Sequence, residues 1–200
     1  MSVHGTVDLI RHGEPVGGRA IRGNGCDDPL SERGWAQMRA AMPELPPWRR
    51  IVTSPLLRCH AFAEEQAARF GLPLEVDVDL REVGFGDWEG HTHEELQATN
   101  PEAYRAFYAD PVNCRPPGAE PLADFVARVG GAWERSVLPR DGEAVLVVTH
   151  AGVIRALLAY LLDLPLAGMY RVRIINATIT RIGFKDGHAE LQLLNGTPYR

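Results

Sequence analysis

Lysine is almost missing from this chain of 200 residues, in which Lys185 is the only lysine among 21 basic residues. Any anion-binding site must therefore be built from arginine, histidine and backbone amides. Cysteine is also scarce, and the three cysteines are Cys26, Cys59 and Cys114. Their odd number and wide spacing argue against a disulfide framework and against a zinc site, and they fit a protein of the reducing cytosol.

Long apolar runs and a basic excess are absent as well. No apolar stretch approaches the ~20 residues that span a membrane. The net charge of −5 is not the basic excess that binding to nucleic acid requires. We therefore expect neither a membrane nor nucleic acid as a partner. The first residues lack a basic region followed by an apolar core, so we expect no signal peptide and a cytoplasmic location.

The composition, with 45% hydrophobic and 24% charged residues, is that of one soluble globular domain over residues 1–200. The sequence leaves open whether the protein is a monomer or a homodimer. Strands and helices alternate along the chain, which predicts an α/β fold with a mostly parallel sheet covered on both faces.

The predicted elements follow from apolar periodicity and from turn and cap residues. Strands are predicted at residues 6–10, 50–53, 74–78, 144–148, 171–184 and 190–194, the last two around a hairpin at 185–187. Helices are predicted from the cap Ser31 to Pro43, from Ser54 and Pro55 to Phe70, over 122–137 with a weak point at Gly130 and Gly131, and over 153–162. Residues 11–29 and 80–90 are predicted to be loops, and 91–121 a helical excursion with a proline-rich return.

A cation and an imidazole follow the first predicted strand, in the stretch Arg11-His12-Gly13-Glu14. Open α/β sheets bind ligands at the carboxyl ends of their strands. A neutral imidazole is a nucleophile toward phosphorus when one ring nitrogen is held as a donor, and Arg11 offers a planar fork for phosphate oxygens. Taken alone, His12 is equally compatible with a buried structural histidine.

His150 follows another apolar strand, so the two strand ends are expected to bring both imidazoles to one edge of the sheet. A helix begins next, and a helix N-terminus lowers the pKa of a histidine, so neutral His150 is expected to donate to a phosphoryl oxygen. Arg58 lies in the first turn of its helix, where a cation is unfavourable unless an anion lies nearby. Ser54 is interpreted as the cap of that helix or as a further ligand. A surface arginine and a core histidine are the structural alternatives.

A general acid is the remaining requirement, and Glu82 is the best candidate. It lies in a glycine-rich loop beside apolar and aromatic residues, where a carboxyl group suits the protonation of a leaving oxygen. Glu14, Asp87 and Glu89 compete for the role, and composition does not choose among the four. The pair of histidines at 91 and 93 lacks a carboxylate partner, which favours a solvated loop or helix start over a metal site.

Together these stretches resemble the histidine phosphatase superfamily, the phosphoglycerate-mutase-like clan. Their motifs occur in the family's order: residues 11–14, residues 54–58, Glu82 in its loop, and residues 150–152. The resemblance implies a three-layer α/β/α fold and a phosphohistidine intermediate on His12, with no metal or other cofactor. It assigns the phosphate pocket to Arg11, Arg58 and His150, and the general acid to Glu82.

The loop after Glu14 departs from the family pattern. Many members carry Thr or Ser next, and then an Asn that touches the phosphate. Pro15 stands there instead, and Asn24 is the candidate in this loop for that contact. Ser54 is the second candidate for an additional substrate-binding residue.

The resemblance also suggests where substrate choice is made. Residues 91–121 are expected to form a helical insertion that caps the site, with Tyr104, Phe107, Tyr108 and Arg115 as candidate lining residues or, for the aromatics, as core. Residues 86–90 and 191–195 are similar to those of α-ribazole phosphatases of cobalamin assembly, which makes α-ribazole 5′-phosphate the first substrate candidate. A phosphoglycerate mutase, a broad-specificity phosphatase and a non-catalytic phosphoester-binding protein are the alternatives.

Overall fold

The computed structural model describes residues 4–140 and 142–199. Within them, six strands form one sheet in the order β3-β2-β4-β1-β5-β6. The strands are β1 (His4–Arg11), β2 (Arg50–Thr53), β3 (Leu74–Val76), β4 (Glu143–Thr149), β5 (Ile179–Lys185) and β6 (His188–Gly196). The first four run parallel to one another, and β5 and β6 add an antiparallel hairpin at one edge.

Helices α1 (Glu32–Ala40), α2 (Leu57–Phe70), α5 (Leu122–Ala132) and α6 (Ala151–Leu161) cover both faces of this sheet. Two short helices, α3 (His93–Thr99) and α4 (Pro101–Ala109), lie in a separate small apolar cluster with Ile21 and Trp88. Side chains alternate along the strands, so that Leu9 packs in one apolar cluster with α5 and α6 while Ile10 packs in the other with α1 and α2. This is the three-layer α/β/α architecture that the sequence predicts. No helix in the described ranges is long and apolar enough to cross a membrane.

The helix that carries Arg58 begins two residues later than predicted. Leu56 has extended backbone and precedes the first helical residue, Leu57. The carboxylate of Asp27 accepts a hydrogen bond from the Leu57 N–H at 2.7 Å, so a loop residue supplies the acceptor that the prediction assigned to Ser54. Arg58 nevertheless lies in the first turn, as expected.

The predicted strand at 171–184 is too long at its beginning. Leu166–Arg171 is a 3₁₀ helix, and β5 begins only at Ile179. Ala177 adopts a positive φ of 52°, which interrupts extended backbone before the strand. The intervening residues 172–178 therefore form a loop, and this loop lies beside the carboxyl end of β1, where the Ala177 N–H donates to the Arg11 carbonyl at 2.9 Å.

Two further elements refine the predictions. The helix predicted over 122–137 is α-helical only to Ala132 and continues to Val137 as a wider π turn, in which the Leu138 N–H donates to the Trp133 carbonyl. The excursion at 91–121 contains α3 and α4. Thr92 and Glu95 form a capping box at the start of α3, in which each side chain accepts from the other's backbone N–H.

Candidate active site

The carboxyl ends of two neighbouring strands bring the two histidines together. β1 and β4 are adjacent and parallel, with Arg11 in register with Thr149, and His12 and His150 are the next residues. Their ring centroids lie 5.2 Å apart with the ring planes at 64°. The expectation that both imidazoles meet at one edge of the sheet is confirmed.

The hydrogen bond of His12 fixes its tautomer. Nδ1 lies 2.8 Å from the carbonyl oxygen of Gly13, and since a carbonyl only accepts, Nδ1 carries the proton. The lone pair is then on Nε2. Burial, with the charges of Arg11 and Arg58, holds the pKa of His12 well below 6.5, so the ring is neutral at pH 7. This is the state in which an imidazole acts as a nucleophile.

Arg11 and Arg58 form the cationic wall of the site. Arg11 donates from Nη1 to the carbonyl of Ile174 at 2.6 Å, and burial lowers its pKa to about 10. Arg58, whose exposed fraction is 1%, donates to the carbonyls of Cys26 and Gly23. The Nε–H groups of both arginines are buried and have no acceptor among the described residues. Two unpartnered cationic donors next to a neutral imidazole are suited to an anionic ligand.

His150 is fully buried and is not on the cavity wall, so it does not lie among the phosphate-contacting groups where the sequence placed it; its ring packs against that of His12. Its Nε2 is 2.7 Å from the hydroxyl of Ser54, and the sulfur of Cys59 lies 3.6 Å from the same nitrogen. Burial and the charge of Arg58 hold the pKa of His150 well below 6.5, which keeps this ring neutral too. Ser54 is itself fully buried, so its hydroxyl orients His150 and does not line the cavity.

Glu82 approaches the site from the loop after β3. Its carboxylate accepts from the N–H of Val83 at 2.9 Å and of Gly152 at 3.2 Å, at the start of α6. A Cβ at Gly152 would overlap with this carboxylate, so the glycine is needed for the approach. Arg128 supports the loop by donating to the carbonyl of Glu82 at 3.0 Å.

The other predicted residues have different positions. Glu14 lines the cavity and lies 3.6 Å from Arg33, whereas Asp87 and Glu89 are not on the cavity wall. The side chain of Asn24 lies against Gly84 and does not reach the wall either. Of the four competing carboxylates, Glu14 and Glu82 line the cavity, and Glu82 is the one bonded to the start of α6, next to His150.

The cavity has a volume of about 810 Å³, which is larger than a phosphate group needs and typical of a small-molecule site. Phe107 and Tyr108 of α4 line it, as expected of the insertion, together with His93. Tyr104 and Arg115 are not on its wall. Arg115 instead donates to the hydroxyl of Tyr170 and to a backbone carbonyl, which attaches the insertion to the domain.

Sequence reasoning missed several polar residues of the cavity wall, among them Asn176 and Arg155. Asn176 donates from Nδ2 to the carbonyl of His12 at 2.9 Å and of Gly13 at 3.2 Å, so it fixes the backbone around His12. Arg155 is held by the Val172 carbonyl at 2.7 Å and lies over the ring of Tyr170. Asn176 was concealed by the strand predicted across it, and Arg155 by an otherwise apolar helix.

Comparison with known proteins gives consistent relatives. A bifunctional protein of Mycobacterium tuberculosis is 35% identical over 198 residues, which cover 96% of this chain and 54% of that protein. The chain thus spans about half the length of the first curated relatives it matches. An adenosylcobalamin/α-ribazole phosphatase of Salmonella typhimurium is 31% identical over 190 residues, 94% of each chain. A glucosyl-3-phosphoglycerate phosphatase of M. tuberculosis is 36% identical over 172 residues, 80% of this chain and 76% of that protein.

Solved structures agree with these relatives. The crystal structure of the α-ribazole phosphatase from Shigella flexneri superimposes with a TM-score of 0.81 at 27% identity, covering 96% of both chains. The family model of the histidine phosphatase superfamily (branch 1) matches residues 7–197. Since that model covers nearly the whole chain and the motifs of the resemblance surround one cavity, the chain belongs to branch 1 of the histidine phosphatase superfamily.

Proposed function

We propose that this chain hydrolyses phosphate monoesters through a phosphohistidine on His12. Nε2 of His12 attacks phosphorus, a nitrogen–phosphorus bond forms, and the bond from phosphorus to the ester oxygen breaks. Arg11 and Arg58 donate to the phosphoryl oxygens, where charge develops during transfer, while buried His150 packs against the attacking ring of His12. A water molecule then attacks phosphorus, and the nitrogen–phosphorus bond breaks to release inorganic phosphate.

Glu82 supplies the proton transfers in both steps. It donates a proton to the leaving oxygen in the first step and takes one from the attacking water in the second. Its place at the start of α6, beside the two strand ends, supports this role. The chain's own groups therefore complete the cycle without a metal ion.

The hydrogen bond between His12 Nδ1 and the Gly13 carbonyl is the observation that carries the proposal. It fixes the tautomer with the lone pair on Nε2, in a site whose two arginines have Nε–H groups without an acceptor among residues 4–140 and 142–199. A purely structural buried histidine would also be neutral, but it would not need the unpartnered cationic donors around it.

α-Ribazole 5′-phosphate is the first substrate candidate, because the Salmonella and Shigella proteins are named α-ribazole phosphatases and match nearly the whole chain. Glucosyl-3-phosphoglycerate is the second, on the name of the mycobacterial relative. A mutase would return the phosphoryl group to the substrate instead of to water, so its product is an isomerised ester. A phosphoester-binding protein would release no product.

Phosphate release from a panel of esters tests the proposal. The panel holds α-ribazole 5′-phosphate, glucosyl-3-phosphoglycerate, 3-phosphoglycerate and 4-nitrophenyl phosphate, with and without EDTA. We expect hydrolysis unaffected by EDTA, and kcat/KM of about 10⁴ M⁻¹s⁻¹ or more for the physiological ester alone. Loss of activity in EDTA that a divalent ion restores would indicate a metal phosphatase, and isomerisation without phosphate release would indicate a mutase.

A further inference from the structure

Glu89 lies off the cavity wall, yet its carboxylate is bound by three backbone N–H groups. Oε1 accepts from Phe85 at 2.8 Å and from Asn24 at 3.3 Å, and Oε2 accepts from Gly25 at 2.8 Å. The side chain thus joins its own loop to residues 23–26, which we call the strap. Glu89 is one of the carboxylates that competed with Glu82 as the acid, and the proposed chemistry does not use it.

The other side of the strap holds Arg58. The carbonyl of Gly23 accepts from Arg58 Nη2 at 2.8 Å, and that of Cys26 accepts from Nη1 at 2.7 Å. These bonds fix the plane of the buried guanidinium through both of its terminal nitrogens. Its Nε–H is the donor without an acceptor in the described part of the chain. The direction in which this arginine presents its charge therefore depends on where the strap lies.

The glycines of the strap fit the carboxylate of Glu89. A Cβ at Gly23 or at Gly25 would overlap with its oxygens, so the carboxylate packs directly on bare backbone. Gly23 also has a positive φ of 54°, which glycine adopts at little cost. Removal of the carboxylate would leave three N–H groups without their acceptor and would detach the strap from the 85–89 loop.

We propose that Glu89 is a positioning residue that acts through Arg58. It fastens the strap, and the strap's two carbonyls fix the guanidinium beside His12. The inference rests on the proposed function, because that function gives Arg58 its task of holding the phosphoryl oxygens. A shift of about 1 Å in a group that holds the reacting phosphate costs on the order of 10²-fold in rate.

Three variants measure how much the bonds between Glu89 and the strap contribute to activity. We expect Glu89→Ala to lower kcat/KM for 4-nitrophenyl phosphate by about 10- to 100-fold and to weaken inhibition by inorganic phosphate. Glu89→Gln keeps one acceptor oxygen but turns an NH₂ group toward a backbone N–H, so its loss of kcat/KM should be smaller than that of Glu89→Ala.

Glu143→Ala is the matched control. Glu143 is a half-buried carboxylate that accepts from Arg50 and from the Arg140 N–H at the opposite end of the sheet. The Glu143→Ala variant should change stability and leave kcat/KM and phosphate inhibition unchanged.

A double-mutant cycle with Arg58→Lys separates positioning from general stabilisation. Lysine keeps the charge and measurable activity but has no fork to span the two strap carbonyls. If Glu89 acts through Arg58, Glu89→Ala should add less than about threefold in the Arg58→Lys background. Effects that multiply in full would overturn the inference, as would unchanged kcat/KM in folded Glu89→Ala. Should Glu89→Ala not fold, Glu89→Gln completes the same cycle.

Wild-type controls keep the two proposals apart. Calorimetry of wild-type protein with inorganic phosphate measures anion binding without turnover. Wild-type protein that neither binds phosphate nor hydrolyses any ester of the panel would contradict the proposed function. An active wild type with multiplying effects of Glu89 and Arg58 would contradict the positioning role alone.

Discussion

His12 and His150 are buried with their rings 5.2 Å apart, among arginines that carry positive charge. Desolvation and these charges lower the pKa of both rings well below 6.5. The same forces that keep the nucleophile neutral therefore make its protonation costly in the folded protein. Activity is expected to persist below pH 6.5, where an ordinary histidine nucleophile would be protonated.

The lowered pKa values also predict how stability depends on pH. In the unfolded chain both histidines titrate near pH 6.5, so below that pH the unfolded state binds protons that the folded state does not. The free energy of unfolding should be level above about pH 6.5 and should fall as the pH drops from there toward the lowered folded pKa values. Urea unfolding at a series of pH values measures this slope. It should be shallower in His150→Gln, and an equal or steeper slope in that variant would contradict the explanation.

The role of Glu82 predicts a dependence on the leaving group. A poor alkyl leaving group needs the proton, whereas nitrophenolate leaves without it. Glu82→Gln should lower kcat/KM, which reports phosphoryl transfer to His12 and not the later hydrolysis, by about 10²-fold or more for alkyl phosphates and by much less for 4-nitrophenyl phosphate. Glu14→Gln is the control, since Glu14 is also a carboxylate of the cavity wall but is 38% exposed and paired with Arg33. Equal losses on both esters in Glu82→Gln would exclude general acid catalysis by this residue.

At the scale of single residues, the sequence is informative where the residue type itself indicates a chemical role. The two histidines, Arg11 and Arg58 were identified because a charged or imidazole side chain follows a strand or begins a helix. Glu82 was one of four competing carboxylates, and the family resemblance assigned it the role of the acid. Asn176 was not identified, because an amide that supports the His12 backbone has no sequence signature. Asn24 and Ser54 were assigned to the substrate, but Asn24 lies beside Gly84 and Ser54 lies on His150.

At the scale of elements, the loop that carries His12 is packed directly on the first turn of α1. A Cβ at Gly34 would overlap with the backbone carbonyl of Glu14, and one at Gly13 would overlap with the backbone of Gly34. Ser31 caps α1 by accepting from the Gly34 N–H at 3.0 Å, and its hydroxyl donates to the Glu14 carbonyl at 2.9 Å. Helix α1 therefore fixes the position of the loop that carries His12.

Gly34→Ala should consequently damage the site. The new methyl group meets backbone, which cannot swing aside, so the loop must move and both stability and kcat should fall. Gly131→Ala is the matched control, because its Cβ would have only Arg135 Nη1 nearby, at 3.9 Å. It should stabilise α5 by roughly 0.5–1 kcal/mol with unchanged kcat. Thermal unfolding with steady-state kinetics compares the two, and a fully active Gly34→Ala would contradict this packing argument.

Element boundaries were predicted where the cap is local and missed where it is distant. Ser31 caps the start of α1, and Gly71 caps the end of α2, each through residues of the adjacent turn. The sequence predicts both of these helix ends. The start of α2 depends on Asp27, thirty residues before the N–H that it accepts from, so no local pattern marks it. The late strand was overextended because residues 172–178 are apolar and β-branched yet fold over the site.

At the scale of the molecule, Asp8 joins β1 to three segments that lie far apart in the chain. It is buried in β1, and its carboxylate accepts from Trp48 Nε1, from the guanidinium of Arg181 on β5, and from the Tyr199 hydroxyl. The fold class was readable from the order of strands and helices. This network was not, because its members are separated by up to 191 residues.

Asp8→Asn tests how much the molecule depends on that network. The change leaves Arg181 beside a neutral amide and should lower the free energy of unfolding by about 3 kcal/mol, as expected when a buried ion pair loses one partner. The kcat of the folded fraction should be unchanged, because Asp8 is remote from the cavity wall. Asp87→Asn, at an exposed carboxylate, should stay within about 0.5 kcal/mol of wild type in the same urea titration. Equal stabilities for the two variants would show that the network contributes little.

The most direct test of the central claim is to locate the phosphoryl group during turnover. Wild-type protein mixed with 4-nitrophenyl phosphate is quenched within milliseconds at alkaline pH, where phosphohistidine survives, and its peptides are analysed by mass spectrometry. The proposed mechanism predicts a phosphoryl group on His12 in wild type, more of it in any variant that slows hydrolysis by water, and none in His12→Asn, which should be inactive. An unmodified His12 in turning-over enzyme, or wild-type activity in His12→Asn, would contradict it.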